Sequence, residues 1–357
     1  MSYLVMTATF SAFVVFGALS GEILKKAGYK GGMVIAFALM TIGFFLITPA
    51  ARSISFPLLL LALFISGLGQ ALLTGAVNTY VSIIGPEESA AKRIAMMGIC
   101  NKTFYAAASL MLALFMDLSN VQIEDTILPF YLITSVLLVM GFLYYFSPLP
   151  EIKAAGEEDD GEDIPEAATW SKSKTSIFRF PHLLLGVVAI FFVIGAETIA
   201  MGTINDYATI LNLPSPENYI WFTSAGMVTG YLLGVLFVPN YVSQQAALLL
   251  STVSGMIVTL AIVAVPEKTA IYLVALLGLA NAMMWPAVWP LAIADLGKFT
   301  KAGSSLLVTG IIGGAFLPLL FGYAAEKTSY QVAYLVCLPA YLYIIYYALS
   351  GSRIRIT

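Results

Sequence analysis

GLGQALLTGAV (residues 67–77) and GLANAMMWPAV (residues 278–288) are one segment written twice. Placed 211 residues apart, five of the eleven positions are identical and four more exchange similar side chains, Gln70 with Asn281 among them. A second pair agrees. SAFVVFGALSG (11–21) and SAGMVTGYLLG (224–234), offset by 213, share six of eleven positions. Similar offsets in the same chain direction predict two parallel repeats.

Each copy lies in a strongly apolar stretch. Of 357 residues, 60% are apolar and 10% charged, against roughly 45–50% and 25% in soluble domains. The chain is therefore expected to be an all-α integral membrane protein, embedded in a lipid bilayer. A spanning helix needs about 20 apolar residues, and a window of that length finds eleven: 3–24, 32–49, 55–84, 94–116, 128–146, 183–211, 219–238, 242–265, 270–294, 304–325 and 332–349. They divide five plus six around the longest hydrophilic stretch. The expected organisation is an N-terminal half (1–147), a linker (148–182), a C-terminal half (183–351) and a short tail (352–357). The linker holds Glu157, Glu158, Asp159, Asp160, Glu162, Asp163 and Glu166; like charges this dense repel, so it is expected to be solvated rather than a metal site.

Cys100 and Cys337 both lie in apolar segments, and His182 is the one histidine. No disulfide framework, metal cluster, nucleophile or acid pair is visible. No enzymatic activity, metal, cofactor or nucleic-acid partner is expected, and a monomer is.

Orientation follows from Lys and Arg. With the linker inside, thirteen basic residues are cytoplasmic and three, Arg52, Lys268 and Lys327, are outside. That bias predicts a cytoplasmic C-terminus and an outward N-terminus. The repeat offset places the partner of 183–211 upstream of residue 1, so the spacing predicts a twelve-span plan without its first helix; a natural eleven-span chain is the alternative.

Polar groups in hydrocarbon are costly and usually face a bundle interior or a water-filled cavity. Gln70, Thr74 and Asn78 are four apart and share a helix face. The repeat puts Asn281, Trp285 and Trp289 at the equivalent places. Amides bond hydroxyls in both directions and indoles offer flat apolar faces, a set suited to a neutral polyol. The same residues are also suited to gluing helices together. Glu197 sits mid-span in FFVIGAETIAMGTINDYATI (191–210), with Asn205 two turns on. Lys102, preceded by Asn101, is about 13 Å into its span at 1.5 Å per residue. Lys102 either pairs with Glu197 or snorkels to the interface.

Residues 67–102, GLGQALLTGAVNTYVSIIGPEESAAKRIAMMGICNK, resemble the fourth and fifth spans of bacterial glucose/galactose permeases in the fucose/galactose/glucose symporter family of the major facilitator superfamily. Residues 280–323 are similar to the tenth and eleventh, and the basic turn 25–30 to the one after the second. The resemblance implies a major facilitator fold and uptake of a hexose by alternating access in the bacterial cytoplasmic membrane, coupled to H⁺ or Na⁺. It places Asn78, Asn101, Lys102, Glu197, Trp285 and Trp289 at the cavity, Lys102 and Glu197 as ion-coupling groups. Three departures stand out: Thr74 and Gly202 occupy places where relatives carry acids, and the first helix is absent. A carrier of another neutral metabolite, a truncated permease that does not transport, and a sugar-binding membrane sensor are the alternatives.

Overall fold

The computed structural model of the chain describes residues 2–115, 122–157 and 170–355, and every regular element among them is a helix. Helix α1 (Ser2–Arg52) has 51 residues, about 76 Å at 1.5 Å per residue and too long for one crossing. Its two expected spans are joined at Gly28, where φ is +72°, a conformation that only glycine adopts cheaply. Helix α2 covers Phe56–Ile83, α3 Ala90–Ala113 and α4 Ile123–Phe146. The second half supplies α5 (Pro181–Gly202), α6 (Ile204–Ile210), α7 (Ile220–Phe237), α8 (Gln244–Ala264), α9 (Glu267–Asn281), α10 (Met284–Ile293), α11 (Thr300–Thr309), α12 (Gly313–Lys327), α13 (Tyr330–Ala333) and α14 (Cys337–Leu349).

Nine helical segments among the described residues are long and apolar enough to cross a membrane, so the chain is a multi-pass membrane protein. Two expected spans are not among the nine as separate segments: 3–24, whose residues from Leu19 on belong to the Leu19–Arg52 segment, and 94–116, which is helical to Ala113 and carries Lys102 in its interior. Four spans expected to be continuous are interrupted instead. The helix breaks at Thr203, at Ala282–Met283, in a 3₁₀ turn over Gly310–Ile312 and in another over Tyr334–Val336.

Contacts group the residues into two compact units, each of which takes a segment from the other half of the sequence. The first comprises Met1–Tyr80, Ala107–Ser173 and Leu296–Thr309. Here α1 packs on α4 through Phe37 against Tyr144, ring centroids 5.2 Å apart. It also meets α11 at hydroxyls, where Ser20 Oγ donates to Ser305 Oγ at 2.9 Å and Gly21 N donates to the same oxygen at 2.9 Å, while Thr79 of α2 bonds Ser304. Small residues permit the approach, since a Cβ on Gly17 would lie 2.7 Å from Thr309. Helix α4 leaves Leu128, Val136, Val139, Phe142 and Leu143 exposed, the surface a lipid-facing helix presents.

The first part of the linker corrects an expectation. Glu157 is not solvated: it pairs with Lys301 at 2.7 Å, both side chains about nine-tenths buried, while the carboxylate of exposed Glu151 accepts backbone N–H groups from Tyr29 at 2.6 Å and Lys30 at 3.1 Å. Repulsion among acids loses to specific donors once the chain brings them within reach. The acids from Glu158 to Glu166 lie outside the described residues.

The second unit comprises Val81–Ala106, Lys174–Asp295 and Gly310–Thr357. A Cβ on Gly313 would overlap the Phe191 carbonyl, and one on Gly310 would lie 2.6 Å from Val187 O, so the small residues at 310 and 313 seat this region on α5. Similarly Gly230 and Gly278 bring α7 against α9. Arg93 ties the loop before α3, its guanidinium donating to Val81 O at 2.7 Å, Ser82 O at 2.6 Å and Ser89 Oγ at 2.6 Å. Cys100 and Cys337 are free thiols.

Candidate functional site

Lys102 of α3 and Glu197 of α5 form a hydrogen-bonded ion pair, and this resolves the choice between pairing and snorkelling in favour of pairing. Each side chain is 14% exposed, so the charges are largely withdrawn from solvent without being sealed off. An unpaired charge in hydrocarbon is costly; the pairing offsets that cost and fixes α3 to α5. Tyr105, one turn further along α3, holds its ring centroid 5.8 Å from Lys102 Nζ.

The pair opens into a cavity of about 130 Å³ lined by Lys102, Tyr105, Glu197, Thr198, Met201 and Gly202. At roughly 30 Å³ per molecule this admits a few waters, and it is smaller than pockets that enclose drug-sized ligands. A proton or small cation fits it. Thr198 Oγ1 donates to Ile194 O at 2.7 Å, leaving its oxygen lone pairs as further acceptors. Glu197 stands within two turns of the break that ends α5. There Thr203 Oγ1 donates to Ile199 O at 2.7 Å and is 2.7 Å from the Tyr334 hydroxyl, while Tyr330 Oη donates to Thr203 O at 3.1 Å. A hydroxyl cluster of this kind satisfies the backbone where the helix is interrupted.

Gly202, where relatives of the resembled family carry an acid, has nothing within 4 Å of a built Cβ. Replacing Gly202 by Ala should therefore change stability by less than about 0.5 kcal/mol, measured as the melting midpoint of purified protein in detergent. A large drop would show that the cavity wall is closed there.

Asn205, expected along the ligand path, is hydrogen-bonded locally. Its Nδ2 donates to Glu217 O at 3.0 Å and its Oδ1 accepts from Ile220 N at 2.8 Å. Both ends of the amide thus hold the turn that enters α7. Asn281 is also committed: Oδ1 accepts from the Tyr341 hydroxyl at 2.9 Å and Nδ2 donates to Ala196 O at 3.4 Å, with the side chain 2% exposed. Trp289 is fully buried, its ring centroid 5.1 Å from that of half-buried Trp285. The two indole planes are tilted 41° to each other. Asn101, next to Lys102, is exposed.

In the other unit, Gln70 and Thr74 of α2 are half-buried and Asn78 is 5% exposed. Gln70 Nε2 donates to Ser66 Oγ at 3.3 Å and Asn78 Nδ2 to Thr74 O at 2.9 Å. These amides are turned along their own helix, which leaves the Gln70 carbonyl oxygen without an intrahelical use. Sequence reasoning missed Tyr105, Tyr231 and Tyr341. Tyr231 is 2% exposed and packs on the bare backbone of Gly98 on α3. The only prior signal was the abundance of tyrosine, 19 residues, which distinguishes none of them.

The comparisons with known proteins agree with this architecture. A glucose/galactose transporter of Brucella abortus is 27% identical over 363 residues, covering 99% of this chain and 85% of that protein. A putative glucose/galactose transporter of Helicobacter pylori is 25% identical, covering 98% and 88%, and an L-fucose-proton symporter of Escherichia coli is 24% identical, covering 91% and 79%. Among solved structures, the E. coli fucose:proton symporter superposes with a TM-score of 0.82 at 22% identity, over 97% of this chain and 89% of that one. The proton:xylose symporter does so at 0.76 and 13%, over 95% and 84%. The sequence pattern of the Major Facilitator Superfamily matches residues 1–310; the chain belongs to that superfamily.

Proposed function

We propose that the chain is a secondary active transporter of a hexose of the glucose/galactose type, taking it up by alternating access with H⁺ or Na⁺ as the coupling ion, across a bacterial cytoplasmic membrane. The observation that carries this is the Lys102–Glu197 pair beside a small cavity. A carboxylate held by one cation inside a membrane can exchange that partner for an arriving proton or metal ion. Doing so releases Lys102 and with it the tie between α3 and α5. Ion binding is thus converted into freedom of a helix, which is what coupling requires. The names of the relatives support a sugar as the cargo.

Sugar contacts are assigned to Gln70, Thr74 and Asn78 on α2 and to Asn101 and Trp285 in the other unit. Asn281 and Trp289 support Trp285, the first by tying α9 to α5 and α14, the second by a tilted ring contact. In proteoliposomes holding the purified protein, labelled glucose or galactose should accumulate under an imposed H⁺ or Na⁺ gradient and not without one. Counterflow should persist when the gradient is collapsed. Peptides and nucleosides should not compete. Saturable glucose binding with no flux in either assay would replace transport by sensing.

A further inference from the structure

Lys102 stands in a stripe along α3, four residues after Gly98 and three before Tyr105, spacings that put all three on one face of the helix. Its two sides differ. Towards Gly98 the space is taken: the ring of Tyr231, on α7 and 2% exposed, packs so closely that a Cβ on that glycine would lie 2.8 Å from its Cζ. Towards Tyr105 the stripe borders the cavity, and Tyr105 is 52% exposed, with its ring centroid 5.8 Å from Lys102 Nζ. That separation is at the outer edge of the range over which an aromatic face attracts an ammonium. The present contact is therefore slight, and a closer one is open to the side chain.

Glu197 is the one acid among the described residues that line the cavity. Once an arriving ion takes its carboxylate, the ammonium needs another partner, because an uncompensated charge in hydrocarbon is costly. Thr198, Met201 and Gly202, which line the same space, all belong to α5. An ammonium leaning on any of them would still join α3 to α5. Tyr105 differs in kind: it lies on the same helix as Lys102, so a charge moved onto its face no longer bridges two helices.

We propose that the Tyr105 ring is the second seat of Lys102: when the coupling ion neutralises Glu197, the ammonium swings from the carboxylate onto that face, and the strength of the seat sets how much ion is needed. This rests on the coupling role proposed above for the Lys102–Glu197 pair. Tyr105 acts through Lys102 and is a positioning residue. The ring holds the ammonium weakly while the carboxylate is paired and more strongly after release, and only such a difference between two states can shift the balance between them. A better seat lets a lower ion concentration displace Lys102. A poorer one makes the ion compete harder.

The test reads the H⁺ or Na⁺ concentration that gives half-maximal hexose accumulation in proteoliposomes holding the full chain, the parent deciding which ion is varied. Tyr105→Leu removes the aromatic face and should raise that concentration roughly fivefold, the worth of a cation–π contact at a partly exposed site. Tyr105→Phe keeps the face without the hydroxyl and should stay within about 1.5-fold of the parent. Tyr105→Trp supplies the strongest face and should lower the concentration. A space-filling role would rank the variants by size instead, with Trp harmful and Leu mild. A parental value in Tyr105→Leu would overturn the seat, as would a Tyr105→Trp value raised above the parent. Should the Leu variant fail to fold, the opposite directions expected of Trp and of space-filling keep the test decisive. A parent whose accumulation ignores both gradients speaks against coupling itself, whereas unchanged variants of a gradient-driven parent speak against the seat alone.

Discussion

In proteoliposomes containing Glu197→Gln, gradient-driven accumulation of hexose should fall by roughly ten- to a hundredfold, the range of typical coupling free energies, while counterflow stays within about threefold of the parent. Glutamine preserves the volume and an acceptor oxygen but can neither take up a proton nor neutralise a cation. The sugar contacts proposed on α2 and at Asn101 and Trp285 are untouched by it, so movement of sugar down its own gradient should remain. What disappears is the exchange of Lys102 for an arriving ion.

A simpler explanation for any loss is that Glu197 merely neutralises Lys102. The two cases separate in the double variant Lys102→Met with Glu197→Gln. Removing one partner of a fully buried pair costs about 3–5 kcal/mol; at 14% exposure beside an open cavity the cost should be nearer 1–2 kcal/mol. Replacing both partners by uncharged residues is often neutral. The double variant should therefore melt like the parent and still fail to accumulate hexose. Recovery of accumulation along with stability would reduce the pair to a structural tie, and undiminished accumulation in Glu197→Gln alone would remove Glu197 from coupling.

That Lys102 meets Glu197 was only half legible in the sequence. The depth of each charge within an apolar run follows from counting residues, and the expense of isolated charges in hydrocarbon narrows the outcomes to pairing or snorkelling. Choosing between them needs the packing of α3 on α5, which no periodicity encodes. The helix breaks were hidden for a related reason. Thr203, Ala282–Met283 and Gly310–Ile312 interrupt helices inside apolar runs, and a hydropathy window averages over them. Interruption at these points depends on distant partners such as Tyr330 and Tyr334 for Thr203. The linker misled in the opposite direction. Seven acids in a short stretch read as mutual repulsion, but Glu157, the first of them, finds a lysine 144 residues further along. Local charge density carries no information about such a partner. The repeat, by contrast, is read from the sequence itself, and the glycines it pairs, Gly17 with Gly230 and Gly67 with Gly278, all stand where a Cβ would crowd a neighbouring helix.

The repeat also suggested that Gln70 and Asn281 play equivalent parts, and here their surroundings diverge. Asn281→Ala should lower stability by about 1.5–3 kcal/mol, the cost of orphaning buried hydrogen-bonding groups. It strands the Tyr341 hydroxyl, on a residue with no exposed surface, and frees Ala196 O. Hydrogen bonds between membrane helices average only about 0.6 kcal/mol and reach about 1.7. Most of the predicted loss must then come from the stranded groups and the small void, not from the bonds themselves. Tyr341→Phe should cost about 1 kcal/mol. A double-mutant cycle between the two should return a coupling of about 0.6–1.7 kcal/mol, read from melting midpoints in detergent. Gln70→Ala should leave stability within about 0.5 kcal/mol, since its amide bond to Ser66 stays within α2, and should instead raise the hexose concentration needed for half-maximal counterflow. The paired residues are thus expected to fail in different ways, one through the fold and the other through the sugar. An Asn281→Ala protein that melts like the parent but binds hexose poorly would restore the symmetry of the two stripes and return Asn281 to the sugar site.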